Sequence, residues 1–237
     1  MIHGTLRSDV IVARAGDDRV RAHGGNDLVI AGSGADRVFG EGGRDELRGN
    51  AGRDRLRGDG TDDILRGGDD GDLLEGQNGD DGPYGATGRD SLDGWAGADC
   101  MYGGPGRDYL AGWNGADLMY GGSGNDFHAG GAADEIRGGK GRDGMTDWVE
   151  TEFSNPAPDD RDLLIGSAGD DSFGVSVGSD RVFGGGGDDR ISTDDDGAVD
   201  LIRCGPGHDL VRYFGSIDPL DVRTGCERLR VFDSVRS

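Results

Sequence analysis

The sequence predicts an all-β fold in which short parallel strands stack into a solenoid. Three observations support this prediction: an aspartate recurs every nine residues, glycines stand at fixed places before it, and an apolar residue follows it two places later. A fixed short period is typical of repeat architectures, in which a unit buries its apolar side chain only by stacking on its neighbours. The chain is therefore expected to fold as one stack of repeated units.

The composition is unusual for a protein that folds by burying an apolar core. The 237 residues carry a net charge of -22 and include 50 glycines. Leu, Ile, Val and Phe together make up less than a fifth of the chain. Few apolar residues and a high net charge are typical of disordered chains, and glycine loses the most conformational freedom on folding. We therefore expect a positively charged ligand to supply part of the folding free energy.

The same charge excludes several partners. With 47 acidic against 25 basic residues, the protein should repel nucleic acid and anionic lipid. No stretch of about 18 apolar residues is present, so we expect no membrane span. The first residues show no signal peptide, so that export either does not use one or the sequence begins after it. No H-E-x-x-H motif occurs, and we expect no enzyme activity.

Each nine-residue unit can be numbered so that the recurring aspartate is position six. Position one is then Gly or Ala in the first fourteen units, position four is mostly Gly, and position eight is mostly aliphatic or Met. We expect positions one to six to form a turn and positions seven to nine to form a three-residue strand with one inward side chain. The uninterrupted series contains Asp9, Asp18, Asp27, Asp36, Asp45, Asp54, Asp63, Asp72, Asp81, Asp90, Asp99, Asp108, Asp117 and Asp126.

The series continues beyond residue 126 with interruptions. We expect a regular roll over residues 1–143, an irregular insertion over 144–161 that is looped out of the same solenoid, and a less regular continuation over 162–237. The alternative is that 144–161 links two domains. The later members of the series are Asp134, Asp143, Asp162, Asp171, Asp180, Asp189, Asp200, Asp209, Asp218 and Glu227.

The unit G-x-x-G-x-D-x-U-x, where U is apolar, resembles the GGxGxDxUx repeat of RTX proteins, the calcium-binding modules of secreted bacterial toxins, proteases and lipases. The resemblance covers nearly the whole chain. It implies a right-handed parallel β-roll in which two units form one coil, so that residues 18 apart stack. Position two departs from the family pattern, because Arg14, Glu41 and Trp95 stand where the family has Gly. We expect these side chains to point outward and to weaken individual sites.

The resemblance implies that the position-six aspartates bind Ca²⁺, with carboxylates from units 18 apart sharing an ion. Calcium takes six to eight oxygens, which carboxylates and turn carbonyls supply, and eleven Ca²⁺ ions would cancel the charge of -22. The alternative, that Asp and Gly only form turns, does not explain a fixed position six. The predicted ligands are Asp18, Asp27, Asp36, Asp45, Asp54, Asp63, Asp72, Asp81, Asp90, Asp99, Asp108, Asp117, Asp126, Asp143, Asp171, Asp180, Asp189 and Asp209.

Two of the three cysteines are expected to pair. Cys204 and Cys226 belong to the units of Asp209 and Glu227, which are 18 apart, so they are expected on adjacent coils. This ending also resembles the closing segment of secreted calcium-binding repeat proteins of Gram-positive bacteria. We expect a disulfide that staples the C-terminal coil, and the alternative is two free turn cysteines. Cys100 would then be unpaired in an outward strand position.

Aromatic side chains also recur at intervals of 18. Tyr84, Tyr102 and Tyr120 share position nine, and Trp95 and Trp113 share position two. We expect all five on one side of the roll. They form either a stacked ladder that stiffens the sheet or a platform that contacts a glycan or a protein.

Arginines form a further series at position seven, on the other side of the roll. Arg19, Arg37 and Arg55 stand 18 residues apart. Guanidinium groups in such an exposed row are expected to offset nearby carboxylates in solvent.

These observations predict an extracellular bacterial calcium-binding repeat protein that folds when it binds calcium and has a structural or interaction role. The alternative is the calcium-dependent folding and secretion domain of a larger exported enzyme. A third hypothesis is an ice-binding or adhesin module. Positions three and five are too mixed for a regular ice-binding face, which counts against that third hypothesis.

Overall fold

The computed structural model describes residues 1–131, 133–147, 161–194, 198–214, 216–217 and 219–232. Within these ranges the backbone forms strands and turns without a helix, and so no helix there is long and apolar enough to cross a membrane. The strands are parallel and wind into a β-solenoid of about 12 turns. The predicted all-β roll with two repeats per coil is confirmed, because successive strands alternate between two sheets.

The two sheets face each other across a narrow core. The odd sheet has 13 strands in the order β1 (Ile2–His3), β3 (Arg19–Gly24), β5 (Arg37–Gly42), β7 (Arg55–Gly60), β9 (Leu73–Asn78), β11 (Ser91–Ala96), β13 (Tyr109–Asn114), β15 (Phe127–Ala129), β17 (Gly144–Thr146), β19 (Ser172–Gly174), β21 (Arg190–Asp194), β23 (Leu210–Phe214) and β25 (Arg228–Phe232). The even sheet has 12 strands in the order β2 (Val10–Ala15), β4 (Leu28–Ser33), β6 (Glu46–Ala51), β8 (Ile64–Asp69), β10 (Gly82–Thr87), β12 (Cys100–Gly106), β14 (Leu118–Gly124), β16 (Glu135–Lys140), β18 (Leu163–Ala168), β20 (Arg181–Gly186), β22 (Leu201–Arg203) and β24 (Val222–Thr224).

The strands of the regular part are six residues long, so the expectation of a three-residue strand is wrong. They contain positions seven, eight and nine of one unit and positions one, two and three of the next. The glycine-rich positions still pair with the neighbouring coil, as Glu41 does with Asp59 and Gly42 with Gly60. Positions four to six alone form the turn. Position two therefore belongs to the strand that precedes its own aspartate.

Two residues of each strand point inward, at positions eight and one. Position eight forms the apolar column, and its side chains in the regular part are buried. In the regular part, position one is small because its own aspartate and the neighbouring coil leave little space. A Cβ on Gly40 would lie 2.3 Å from the Asp45 Oδ2 atom and 2.9 Å from the Gly58 carbonyl oxygen. The Gly or Ala at position one thus leaves room for the aspartate of its own unit.

Positions two and four have a left-handed backbone. Position two has φ values of 72° at Glu41 and 79° at Trp95, and position four has 111° at Gly43. Side chains other than Gly cost about 1–2 kcal/mol in this conformation, which explains why the family places Gly at both positions. Thr61 and Asp70 occupy position four with φ values of 81° and 74°.

Strand pairing continues on both sides of the irregular segment. Strand β17, which lies inside the stretch expected to be irregular, pairs with β15 and β19, and β16 pairs with β18. The Asp143 backbone N–H donates to Asp171 Oδ1 over 2.8 Å, so the coil that contains the segment is 28 residues long instead of 18. Residues 148–160 lie outside the described residues.

The C-terminal coils are joined covalently. Cys204 and Cys226 form a disulfide, with their Cα atoms 5.2 Å apart. Cys204 is buried and packs against the apolar core. Cys100 is free and half-buried, with its Sγ atom 3.5 Å from the Tyr102 hydroxyl.

Replacing Thr61 with Gly should stabilise the folded protein, because Gly relieves the left-handed strain of a β-branched residue. The gain should be about 1 kcal/mol after the added flexibility of the unfolded chain is subtracted, which corresponds to about 2–4 °C in melting temperature. Thr87→Gly is the matched control, since Thr87 lies in β10 without a positive φ. It should lower the melting temperature, as Gly does within strands. Equal melting shifts for the two variants would contradict this account.

Candidate metal sites in the turns

Every predicted aspartate ends a turn and directly precedes a strand. Its backbone is held by the neighbouring coil, as when the Ile64 N–H donates to the Asp45 carbonyl oxygen over 2.9 Å. Apart from half-buried Asp18, the predicted ligands are buried. The aspartates therefore form two buried rows, one along each edge of the roll where the chain passes between the sheets.

One carboxylate oxygen of each aspartate links two coils. The Asp27 backbone N–H donates to Asp45 Oδ1 over 2.8 Å, and that of Asp36 donates to Asp54 Oδ1 over the same distance. The pattern repeats at intervals of 18 up to the pair of Asp108 and Asp126. It then continues with spacings of 17, 28, 18 and 20 residues as far as the Asp189 N–H, which donates to Asp209 Oδ1 over 2.9 Å. The structure thus brings together aspartates 18 apart. A backbone N–H, which sequence reasoning missed, joins each pair and fixes the orientation of the carboxylate.

The second oxygen, Oδ2, points into the turn. This atom is buried, and in the described residues it has no hydrogen-bond partner at Asp27, Asp36, Asp45, Asp54, Asp63, Asp72, Asp81, Asp90, Asp99, Asp108, Asp117, Asp126, Asp143, Asp171, Asp189 and Asp209. An unpartnered buried carboxylate oxygen is strongly unfavourable. A strand carbonyl lies close by, because Asp45 Oδ2 and the Gly58 carbonyl oxygen both stand within 3 Å of the point that a Cβ on Gly40 would occupy. Carboxylate and carbonyl oxygens are the donors that Ca²⁺ takes, so these residues fit calcium.

Burial raises the pKa of these carboxyl groups. The pKa is raised to about 6 at Asp45, to about 7 at Asp63 and Asp72, and to about 8 at Asp81. Loss of solvation is the main cause, and carboxylates 18 residues away add to it. The bond from the backbone N–H acts in the opposite direction. Without a cation, the turns hold their charge only against a substantial electrostatic penalty.

Four further aspartates belong to the two rows although they were not among the predicted ligands. Asp134 Oδ1 accepts the Asp117 N–H over 2.8 Å, and Asp200 Oδ1 accepts the Asp180 N–H over 3.0 Å. Asp162 is buried and accepts the Asp134 N–H in the same way. An apolar residue two places after each of these three was a usable signal. Asp221 completes the row by accepting the Asp200 N–H, whereas Asp218, which the period favoured, lies outside the described residues.

Hydroxyl groups replace glycine beside two of these aspartates. Thr193 and Tyr213 stand at position one and point inward. The Thr193 hydroxyl donates to Asp200 Oδ2 over 3.3 Å, and the Tyr213 hydroxyl donates to Asp221 Oδ2 over 2.8 Å. Protein groups therefore satisfy the oxygens that remain unpartnered in the regular turns.

One cluster contains a third carboxylate. Asp147, Asp162 and Asp180 are all buried, and their carboxylate oxygens lie within 4.8 Å of one another. Asp147 directly follows β17, at the place that position one occupies elsewhere. The Ser176 N–H donates to its Oδ2 atom over 2.7 Å. Sequence reasoning missed Asp147 because it lies outside the nine-residue period.

The five aromatic residues do not share one side of the roll, and that expectation is wrong. Tyr84, Tyr102 and Tyr120 stack on the even sheet, with ring centroids 5.0 and 4.8 Å apart. Trp95 and Trp113 stack on the odd sheet at 5.2 Å. The error follows from the strand boundaries, because position two belongs to the strand before the turn and position nine to the strand after it.

The raised pKa values predict that protons compete with calcium. A carboxyl group with a raised folded-state pKa stabilises the metal-free fold below its ordinary pKa near 4, and this stability is lost as the pH rises through about 6 to 8. Calcium-free protein should therefore show more β signal by circular dichroism at pH 5 than at pH 8. Calcium affinity, measured by calorimetry in 0.5 M salt to screen surface charge, should increase between pH 6 and pH 8. An affinity that does not change over this range would contradict the prediction.

Comparison with known proteins identifies the repeat. The family model of the RTX calcium-binding nonapeptide repeat matches residues 3–38, 30–65, 39–74, 75–110, 101–127, 127–145, 159–191 and 175–197. No curated protein matches the chain. The matched segments span well over half of the sequence, and they contain the aspartates of both rows as far as Asp189. The chain belongs to the RTX calcium-binding nonapeptide repeat family.

Proposed function

We propose that this protein is secreted and folds outside the cell when calcium fills its turns, where it acts as a structural or interaction module without catalysis. The observation that supports the proposal most directly is the row of buried, unpartnered Oδ2 atoms along each edge of the roll. Some cation must offset these charges. RTX repeats are typical of secreted bacterial proteins, and extracellular calcium modules bind at about 10⁻⁴–10⁻³ M.

The residues of each repeat have separate structural roles in this proposal. The bond from the backbone N–H to Oδ1 orients the carboxylate, as at Asp45. The glycine at position one leaves space beside Oδ2, as at Gly40. The left-handed backbone at position four, as at Gly43, reverses the chain direction within three residues. When bound, calcium supplies the positive charge that makes two rows of buried carboxylates compatible with a compact fold.

Calcium binding should be cooperative because the sites share residues. Each aspartate bonds to the coil before it and the coil after it, as Asp45 does with Asp27 and Asp63. When one turn becomes ordered, its aspartate therefore already holds one of the two bonding partners of the next aspartate in the same row. Repeat proteins of this kind gain stability largely from such neighbour interactions.

The aromatic ladders support a structural role in this proposal. Within each ladder the ring faces are covered by neighbouring rings, with interplanar angles of 2° and 5° along the tyrosines. Arg66 and Arg137 cover the two ends of the tyrosine ladder, 5.6 and 5.7 Å from the ring centroids. A glycan would need an open ring face, so we favour stiffening of the sheet over sugar binding at these residues.

Removing calcium should unfold the protein. Far-UV circular dichroism at pH 7.5 should show the β spectrum in 2 mM calcium and its loss in excess EDTA, with recovery when calcium is restored. Calcium binds the native state alone, so its stabilisation follows mass action and should raise the melting temperature as its concentration rises. A β spectrum and a melting temperature that survive EDTA would contradict the proposal.

Asp72→Ala should reduce calcium binding more than Asp70→Ala. The Asp72 carboxylate is buried in a row, where it bonds to the Asp54 N–H, while Asp70 is exposed at position four. Both variants remove one negative charge from the same turn, so the comparison isolates the position. Titration calorimetry should show fewer bound ions for Asp72→Ala, with a stability loss in calcium of about 1–3 kcal/mol. Equal stoichiometry in the two variants would show that the sites are misassigned.

A further inference from the structure

Four arginines gather in one groove of this acidic protein. The groove has a volume of about 590 Å³ and lies where the turns enter β5, β7, β9 and β11 of the odd sheet. Arg37, Arg53, Arg55 and Arg89 line it, and all four are exposed. We name this surface the arginine groove. It is a strongly basic site on a chain with a net charge of -22.

The repeat itself builds this groove. Arg37 and Arg55 are paired at position seven of neighbouring strands, about 4.8 Å apart along the roll. Arg53 and Arg89 stand at position five, two coils apart, which is about 10 Å. Gly71 occupies the same position on the coil between them, and its missing side chain opens the groove.

Most of this positive charge is not used within the protein. Arg55 forms an ion pair with Glu75 at 2.9 Å, as the sequence analysis expected of its position. In the described part of the chain no ion pair involves Arg37, Arg53 or Arg89. The Arg53 Nε–H donates only to the Gly71 carbonyl oxygen, over 3.2 Å.

The arginines do not offset the turn carboxylates beneath them either. Asp54 Oδ1 accepts the Asp36 N–H and Asp72 Oδ1 accepts the Asp54 N–H. The Oδ2 atoms of both aspartates have no hydrogen-bond partner in the described residues. The sequence-based expectation that the position-seven arginines offset nearby carboxylates therefore does not describe Arg37, and its guanidinium is available to a ligand.

We propose that the arginine groove binds a compact oligoanion, of the kind that a sugar bearing several sulfate or phosphate esters presents. Guanidinium groups bind such oxyanions through paired hydrogen bonds. The groove spans about 10 Å, which suits two or three anionic groups. A long polyanion or an anionic membrane would meet the acidic remainder of the chain, whereas a compact ligand lies within about one Debye length, roughly 8 Å, of the arginines.

This inference rests on the proposed function in one respect. The carboxylates of Asp36, Asp54 and Asp72 form part of the groove wall, and calcium is expected to neutralise them. The four guanidinium groups then outnumber the three nearby carboxylates of Asp17, Asp70 and Glu75. Binding of the oligoanion should therefore be measured on protein that calcium has folded.

The test is calorimetry with sucrose octasulfate at fixed, saturating free calcium and 0.1 M salt. Wild-type protein should bind the probe, and Arg37→Ala combined with Arg53→Ala should weaken its affinity at least tenfold. The single variant Arg89→Ala should weaken the affinity for the probe severalfold. It provides an independent test of the groove if the double variant folds poorly. The control combines Arg142→Ala with Arg190→Ala. These two residues are exposed at positions five and seven on the same edge but outside the groove, and their loss should change the affinity less than twofold.

Circular dichroism in calcium would verify folding of each variant before titration. Absence of probe binding by folded wild-type protein, or an equal loss in the control variant, would overturn the proposal. Vesicles containing phosphatidylserine provide a separate arm, and groove-dependent binding to vesicles without binding of the sugar would also overturn it. Calorimetry with calcium alone tests the proposed function independently, because a folded protein that binds the probe but no calcium supports the groove and contradicts calcium-driven folding.

Discussion

The bond from the backbone N–H of one aspartate to the carboxylate of the aspartate 18 residues later holds the structure in its register. Asp27, Asp45 and Asp63 show the pattern, with donor–acceptor distances of 2.8 and 2.7 Å. This contact links successive coils on both edges of the roll, and it uses only Oδ1. In the regular turns it thereby confines Oδ2 to a buried place where the described residues offer no donor. The need for a cation follows from the same contact that orders the coils.

This arrangement explains why so acidic and glycine-rich a chain can fold. A core of one apolar side chain per unit, such as Val38 or Leu47, buries too little surface to offset the entropy of 50 glycines. Under the proposed function, ion binding adds free energy that scales with the number of turns. It also removes the repulsion between carboxylates that otherwise opposes stacking. Folding and ion binding are for this reason expected to be one process.

The residue at position one adjusts individual turns. Gly40 leaves the Asp45 Oδ2 atom unpartnered, whereas the Tyr213 hydroxyl donates to Asp221 Oδ2. Two C-terminal turns, those of Asp200 and Asp221, thus supply protein donors to Oδ2. The disulfide between Cys204 and Cys226 joins the same part of the roll. The same solenoid therefore contains both kinds of turn.

The sequence by itself determined the nine-residue period, which constrains every unit in the same way. Its resemblance to RTX repeats implied the parallel roll with two repeats per coil and the pairing of aspartates 18 apart. The sequence could not determine where each strand ends, since Gly at positions one to three reads as a turn although the neighbouring coil pairs with it. That boundary decides which sheet carries Trp95. Only the tertiary structure therefore showed that Trp95 and Tyr102 lie on different sheets. The sequence also could not place aspartates that lie outside the nine-residue period. Asp147 and Asp221 reach their rows through coils whose lengths differ from 18, and a side chain outside the period is placed by three-dimensional packing alone.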